Sequence, residues 1–218
     1  MTALRFPAGL YGVTPEWDDT DRLMEAVRLA AAGGMRALQL RRKKAPAALR
    51  LAQARALASL CYELCLVFII NDDWQLALEV GADGVHLGRN DSDVATVQRQ
   101  APTLLVGASC YNEPDRARVL LDAGVDYIAL GAVFASPTKP EAVRAPLSLL
   151  GQARQWVEQC VAPRPAVVAI GGIGPDNAAV VAQAGADALA VITALFEAPS
   201  IRTAAALCAA PYQAKAPL

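Results

Sequence analysis

The chain has 218 residues, 20 Lys and Arg against 21 Asp and Glu, and a net charge of −1 at pH 7. That balance excludes a global field suited to nucleic acid or to an anionic membrane surface. Hydrophobic residues make up 55% and charged ones 19%, enough to bury a sizeable core and too apolar for a disordered chain.

Taken in order, the apolar runs and the Gly and Pro punctuation predict an alternation of strands and helices. Residues 10–14 form a first strand, stopped by Pro15, and residues 21–32 a helix closed by Gly33-Gly34. Residues 35–40 form strand two and residues 47–66 a long Ala/Leu helix. Residues 67–70 (Val-Phe-Ile-Ile) form strand three, residues 74–80 a short helix and residues 84–87 strand four. Residues 92–100 read as helix, 104–107 as strand five, 113–123 as helix and 127–131 as strand six, followed by a longer loop through Pro146. Residues 148–161 are helical, 166–170 form strand seven and 175–184 a helix with Pro175 in its first turn. Residues 188–191 form strand eight and 194–209 the last helix.

Eight such units of roughly 25 residues fit a single-domain α/β fold, the (β/α)8 TIM barrel, over residues 1–210. Residues 211–218 are expected to be a frayed tail. Three units carry a Gly-x-Asp phrase before a strand, Gly81-Ala82-Asp83, Gly124-Val125-Asp126 and Gly185-Ala186-Asp187, in which Gly closes a helix and Asp turns the chain. A doubly wound open sheet is the competing fold. It usually carries a Gly-rich phosphate turn after strand one, where this chain has Thr14-Pro15-Glu16.

No apolar run reaches the roughly 18 residues of a membrane span, and Met1–Pro7 lacks the apolar region of a secretory leader. A cytoplasmic location is expected. The five cysteines are odd in number, form no Cys-x-x-Cys pair and meet one histidine in the whole chain. They are read as free, packed thiols, not as a zinc site.

In a barrel the chemistry gathers at the C-terminal strand ends. After strand two, alternation puts Gln39, Arg41 and Lys43 on one face and Leu40 and Arg42 on the other. An inward row of that kind is costly unless it meets an anion. Strand three runs into Asn71-Asp72-Asp73, and strand four into a loop that reaches Asp91. Neighbouring strands let Asp72 and Asp91 approach one hard cation, Mg2+, whose other positions would go to phosphate and water. The competing role is helix capping, which Asp73 and Asp93 fit better.

Strand five leads into Ser109-Cys110-Tyr111, and strand six into a loop of hydroxyls with Lys139. The glycines after strand seven (Gly171-Gly172) and the helix start after strand eight (Ile192-Thr193) match the recurring phosphate site of this fold. A metal site, a cationic row with Lys139 and a neutral cradle suggest two phosphorylated ligands, one a diphosphate. No Ser-His-Asp set is visible. His86, inside a strand pattern, is read as structural.

These residues, in order, resemble a known family. Leu10-Tyr11-Gly12-Val13-Thr14, Gln39-Leu40-Arg41-Arg42-Lys43, Ile70-Asn71-Asp72, the run from Gly84 to Asp91, Gly107-Ala108-Ser109, Ser136-Pro137-Thr138-Lys139 and Ala169-Ile170-Gly171-Gly172-Ile173 look like thiamine-phosphate synthase. The resemblance implies a barrel that joins 4-amino-2-methyl-5-(diphosphooxymethyl)pyrimidine to a thiazole phosphate, or its carboxylate form. The products would be thiamine phosphate and pyrophosphate. It also implies Mg2+ on Asp72 and Asp91. The pyrimidine diphosphate would lie on Gln39, Arg41, Lys43, Asn71, Ser109 and Lys139, and the thiazole phosphate on Ser136, Thr138, Gly172, Ile192 and Thr193. Lys139, Arg41, Lys43 and Ser109 would carry catalysis.

The chain departs from the pattern at Ser136, Thr193 and Arg89, and at Tyr111, which stands where many members have His. The related thiazole tautomerase shares the barrel and thiazole site but needs no diphosphate site, so the Asp72, Asp91 and Lys139 set argues against it. A non-catalytic phosphate sensor is the reading from another class, and the complete set of charged strand ends argues against that too.

Overall fold

The structure, a computed structural model, describes residues 3–135 and 143–213. Eight parallel strands close into a barrel in sequence order: β1 (Gly9–Val13), β2 (Met35–Leu40), β3 (Val67–Asn71), β4 (Gly84–Leu87), β5 (Leu105–Tyr111), β6 (Tyr127–Gly131), β7 (Ala166–Ile170) and β8 (Ala188–Val191). The circle closes through β1 and β8, with Leu10 opposite Leu189 and Tyr11 opposite Ala190. Between the strands run α1 (Thr20–Ala32), α2 (Ala47–Glu63), α3 (Trp74–Val80), α4 (Val94–Gln100), α5 (Pro114–Asp122), α6 (Leu147–Glu158) and α7 (Ala178–Gln183), and after β8 come α8 (Thr193–Phe196) and α9 (Ile201–Gln213).

Strand alternation divides the core in two. Outward positions such as Leu38, Phe68, Ile70, Val85 and Leu87 pack under the helices. Inward positions form a second cluster of mostly small residues, Ala37, Ala129, Ala166, Ala188 and Ala190, around Phe6, Tyr11 and Tyr127. Small side chains on most strands leave room for those three rings inside the barrel.

Several boundaries differ from the sequence reading. The single last helix expected at 194–209 is two, α8 and α9, because Glu197-Ala198-Pro199-Ser200 interrupts it. Pro199 disfavours helical backbone at the residue before it. The tail expected from residue 211 is helical as far as Gln213, anchored by the Tyr212 hydroxyl donating to Ala186 O at 3.1 Å. Residues 214–218 lie outside the described residues. Strand five runs on to Tyr111, with an irregularity in its pairing to β6 between Ser109 and Tyr111. α2 stops at Glu63, three residues short of the expected end, and α7 starts at Ala178 with Pro175 outside it. Among the described residues no helix is long and apolar enough to cross a membrane. The five thiols are free, three of them buried.

Candidate active site

A cavity of about 520 Å³ opens at the C-terminal end of the barrel. Its lining includes Gln39, Arg41, Lys43, Asn71, Asp72, His86 and Ser109. That size suits small molecules. Alternation along β2 and its loop holds: Gln39, Arg41 and Lys43 face the cavity, whereas Arg42 turns away and is 3% exposed. There Arg42 pairs with Glu16 at 3.2 Å and with Asp18. Glu16 also accepts from the Lys43 backbone N–H at 3.0 Å, and Thr14 Oγ1 accepts from the Arg41 N–H at 2.9 Å. The loop after β1 therefore shapes the cationic loop after β2, a role that its sequence did not announce.

Asp72 follows β3 with φ at +65°, an uncommon backbone state for a residue with a side chain. Its carboxylate lies 3.0 Å from Lys43 Nζ. Asp91 accepts from the Gly88 N–H and lies against Asp72. Burial pushes both carboxyls up. At Asp72 the bonds to Asp91 and Lys43, with the Lys43 charge, outweigh burial and hold it below the usual range. Asp91 is pushed above that range by burial and by Asp72.

Two hard oxygen donors that lie against each other fit a divalent cation held between them. Among the described residues no three His, Cys, Asp or Glu side chains gather as a ligand set. Further ligands would come from phosphate oxygens and water. Asp73 and Asp93 cap helices, accepting from the Leu76 N–H at 2.9 Å and the Thr96 N–H at 2.8 Å.

His86 lines the floor of the cavity. Its Nε2 lies 2.8 Å from Ser109 Oγ and its Nδ1 3.0 Å from Tyr127 Oη. Tyr127 Oη is 3.0 Å from Tyr11 Oη, which accepts from Gln39 Nε2 at 2.7 Å. The five groups make one buried line across the cavity floor. Burial brings the His86 pKa down to about 4 despite the Asp72 charge, so the ring is neutral near pH 7. Cys110, beside Ser109, points away into the helix-side core, where burial pushes its thiol up to about 12.

At the rim, the Tyr111 ring lies under the Arg89 guanidinium at 4.9 Å and near that of Arg116 at 5.9 Å. Glu113 pairs with Arg89. The opposite wall is apolar, from Ile170, Ala190 and Ile192, with Gly171 beside them. Asn177 braces the loop after β7, donating to Gly172 O and accepting from the Gly174 N–H, both at 2.9 Å. A Cβ at Gly172 would fall 2.4 Å from Ala135 O, so only glycine lets these two loops meet. Thr193 opens α8 beside Ile192. Ser136, Thr138 and Lys139 lie outside the described residues.

Comparison with known proteins gives one consistent result. Residues 10–195 match a family model described as thiamine monophosphate synthase. The thiamine-phosphate synthase of Bordetella avium is 67% identical over 212 residues, covering 97% of this chain and 98% of the relative. That of Bordetella pertussis is 68% identical over 213 residues, with the same coverage. Among solved structures, thiamine phosphate pyrophosphorylase from Pyrococcus furiosus superposes with a TM-score of 0.82 at 33% identity, covering 96% of this chain and 98% of that one.

Proposed function

The chain belongs to the thiamine monophosphate synthase family, whose members are transferases, and we propose that it condenses the pyrimidine diphosphate with a thiazole phosphate to thiamine phosphate and pyrophosphate. One observation carries the reading of substrates. Gln39, Arg41, Lys43, Asn71, Asp72 and Ser109, from three strand ends, converge on one cavity, with Asp91 in contact with Asp72. That is a surface for a diphosphate and a cation.

The bond from the pyrimidine methylene to oxygen breaks with its electron pair leaving on diphosphate. The thiazole nitrogen then supplies its lone pair to the methylene carbon. That nitrogen carries no proton to lose, so the site needs no strong base, in keeping with a neutral His86. Arg41 and Lys43 meet the charge that grows on the leaving group, a preorganised electrostatic role. Lys139 is assigned to the same task on the strength of the resemblance. Ile170, Ala190 and Ile192 form an apolar wall of the cavity, which would keep water from capturing the reacting carbon. The thiazole phosphate would rest on the glycine loop at Gly172 and on Ile192 and Thr193, with Ser136 and Thr138. A Mg2+ ion on Asp72 and Asp91 would supply further charge neutralisation of the diphosphate.

The test is incubation of the protein with both substrates, with Mg2+ or with a chelator, assayed for thiamine phosphate. Product is expected with Mg2+ and not with chelator. Asp72→Ala should lower kcat roughly a hundredfold or more, the rate equivalent of a few kcal/mol of lost charge stabilisation. No thiamine phosphate from the two substrates would overturn the reaction. Full activity in chelator would overturn the metal assignment alone.

A further inference from the structure

The line from Gln39 to Ser109 has a direction, set by the Gln39 amide, which presents Nε2 to Tyr11, and by donor counting from there. Each hydroxyl brings one proton, and a neutral imidazole brings one. Gln39 Nε2 donates to Tyr11 Oη. Tyr11 is 1% exposed, and the acceptor in reach of its own proton is Tyr127 Oη. Tyr127 has then received a proton, and its own goes to its other neighbour, His86 Nδ1. An accepting Nδ1 places the imidazole proton on Nε2, which donates to Ser109 Oγ. With the Gln39 amide presenting Nε2 to Tyr11, running the line backwards would leave the Tyr11 proton buried without an acceptor.

The arrangement is held tightly. The His86 and Tyr127 rings stack at 5.5 Å and 21°, and Phe6 packs on Tyr127 at 4.4 Å. Gly107 makes room, since a Cβ there would lie 1.9 Å from the Tyr127 ring. At the far end, the Ser109 oxygen is occupied by the His86 N–H, while its own proton remains to be given to the cavity that Ser109 lines.

We propose that His86 is a positioning residue: Tyr127 holds it as the Nε2-protonated tautomer, and its N–H on Ser109 aims the serine proton at an acceptor atom of the pyrimidine diphosphate. Only the identity of that acceptor rests on the synthase reading. The tautomer and the direction of the line do not.

His86 is the chain's one histidine, so protein grown with 15N-histidine reports a single imidazole without assignment. The expected spectrum near pH 7.5 has a protonated Nε2 and an unprotonated Nδ1, and Tyr127→Phe should turn this into a mixture of tautomers. A protonated Nδ1, or a mixture in the unaltered protein, overturns the proposal even if no variant folds. The kinetic arm uses two amides. Gln places its N–H near the imidazole Nε2 position, whereas Asn reaches only as far as Nδ1. His86→Asn should lower kcat about tenfold or more and His86→Gln no more than about threefold, with KM for the pyrimidine diphosphate moving less than kcat in both. Equal losses in the two would assign His86 to packing alone. A protein with the expected tautomer but no thiamine phosphate formation would instead refute the synthase reading.

Discussion

At the scale of single residues, the loop after β2 and the histidine of β4 teach opposite lessons. The inward set Gln39, Arg41 and Lys43 was legible because strand alternation is a rigid period of two, and the structure keeps it. The reason for Arg42 was not legible, because its partners Glu16 and Asp18 are more than twenty residues away. His86, read as structural, lines the cavity, and one histidine inside an apolar strand looks the same in sequence whether it faces helices or a cavity. The available signal was parity: Val85 and Leu87 pack outward, so His86 had to face inward. Its burial has a consequence for stability. The folded pKa, about 4, lies below the 6.5 of an unfolded chain, so between those values the unfolded state binds more protons. The contribution is fully present above pH 6.5 and is lost as pH falls through that window toward 4. Urea unfolding should give roughly 2 kcal/mol more pH-dependent loss between pH 7 and pH 5 for the unaltered protein than for His86→Gln. Identical pH dependence in the two would refute the assignment.

At the scale of elements, the repeated Gly-x-Asp phrase was visible, but only half its meaning was. The glycines do close helices, with φ of +69° at Gly81, +81° at Gly124 and +116° at Gly185. The aspartates do more than turn the chain. Asp83, Asp126 and Asp187 each accept from a backbone N–H at the start of the preceding strand: Phe68 at 2.7 Å, Val106 at 2.8 Å and Val167 at 2.9 Å. Each also donates its own N–H to the carbonyl of that residue, at 2.7–2.9 Å. The phrase therefore stitches β3 to β4, β5 to β6 and β7 to β8 at the bottom of the barrel. A contact between strands fifteen or more residues apart leaves no mark in local sequence, which is why the stitch could not be read beforehand. Asp83→Ala removes the acceptor and leaves the Phe68 N–H unpaired in a part-buried place. The expected loss is about 1–3 kcal/mol, read as a lower urea midpoint at unchanged slope, with kcat near normal because the cavity is at the other end. A large fall in kcat with unchanged stability would contradict this division of labour.

At the scale of the whole molecule, strand order and closure followed from eight alternating units, but how the barrel is filled did not. The sequence reading saw in residues 1–7 only that they lack the apolar region of a secretory leader. In the structure residues 3–6 floor the barrel. Arg5 N–H donates to Arg164 O at 3.0 Å, and the Arg164 N–H donates to Ala3 O at 2.9 Å. The Arg164 guanidinium is in turn held on Asp187 at 2.8 and 2.9 Å. This clamp seats Phe6, fully buried, against Tyr11 at 5.0 Å and Tyr127 at 4.4 Å. The alanines of the inner cluster cannot expand into the space of a lost ring, because each is fixed on a strand. Phe6→Ala is therefore expected near the upper part of the usual cost for such truncations, about 3–5 kcal/mol, with Phe6→Leu costing less. The same ring supports the two tyrosines that orient His86, so floor and site are linked through packing. In the fraction of Phe6→Ala that remains folded, kcat should fall. Kinetics at a temperature well below the variant's unfolding midpoint separate this from simple loss of folded protein. An unchanged kcat there would mean that the floor supports the barrel without reaching the chemistry.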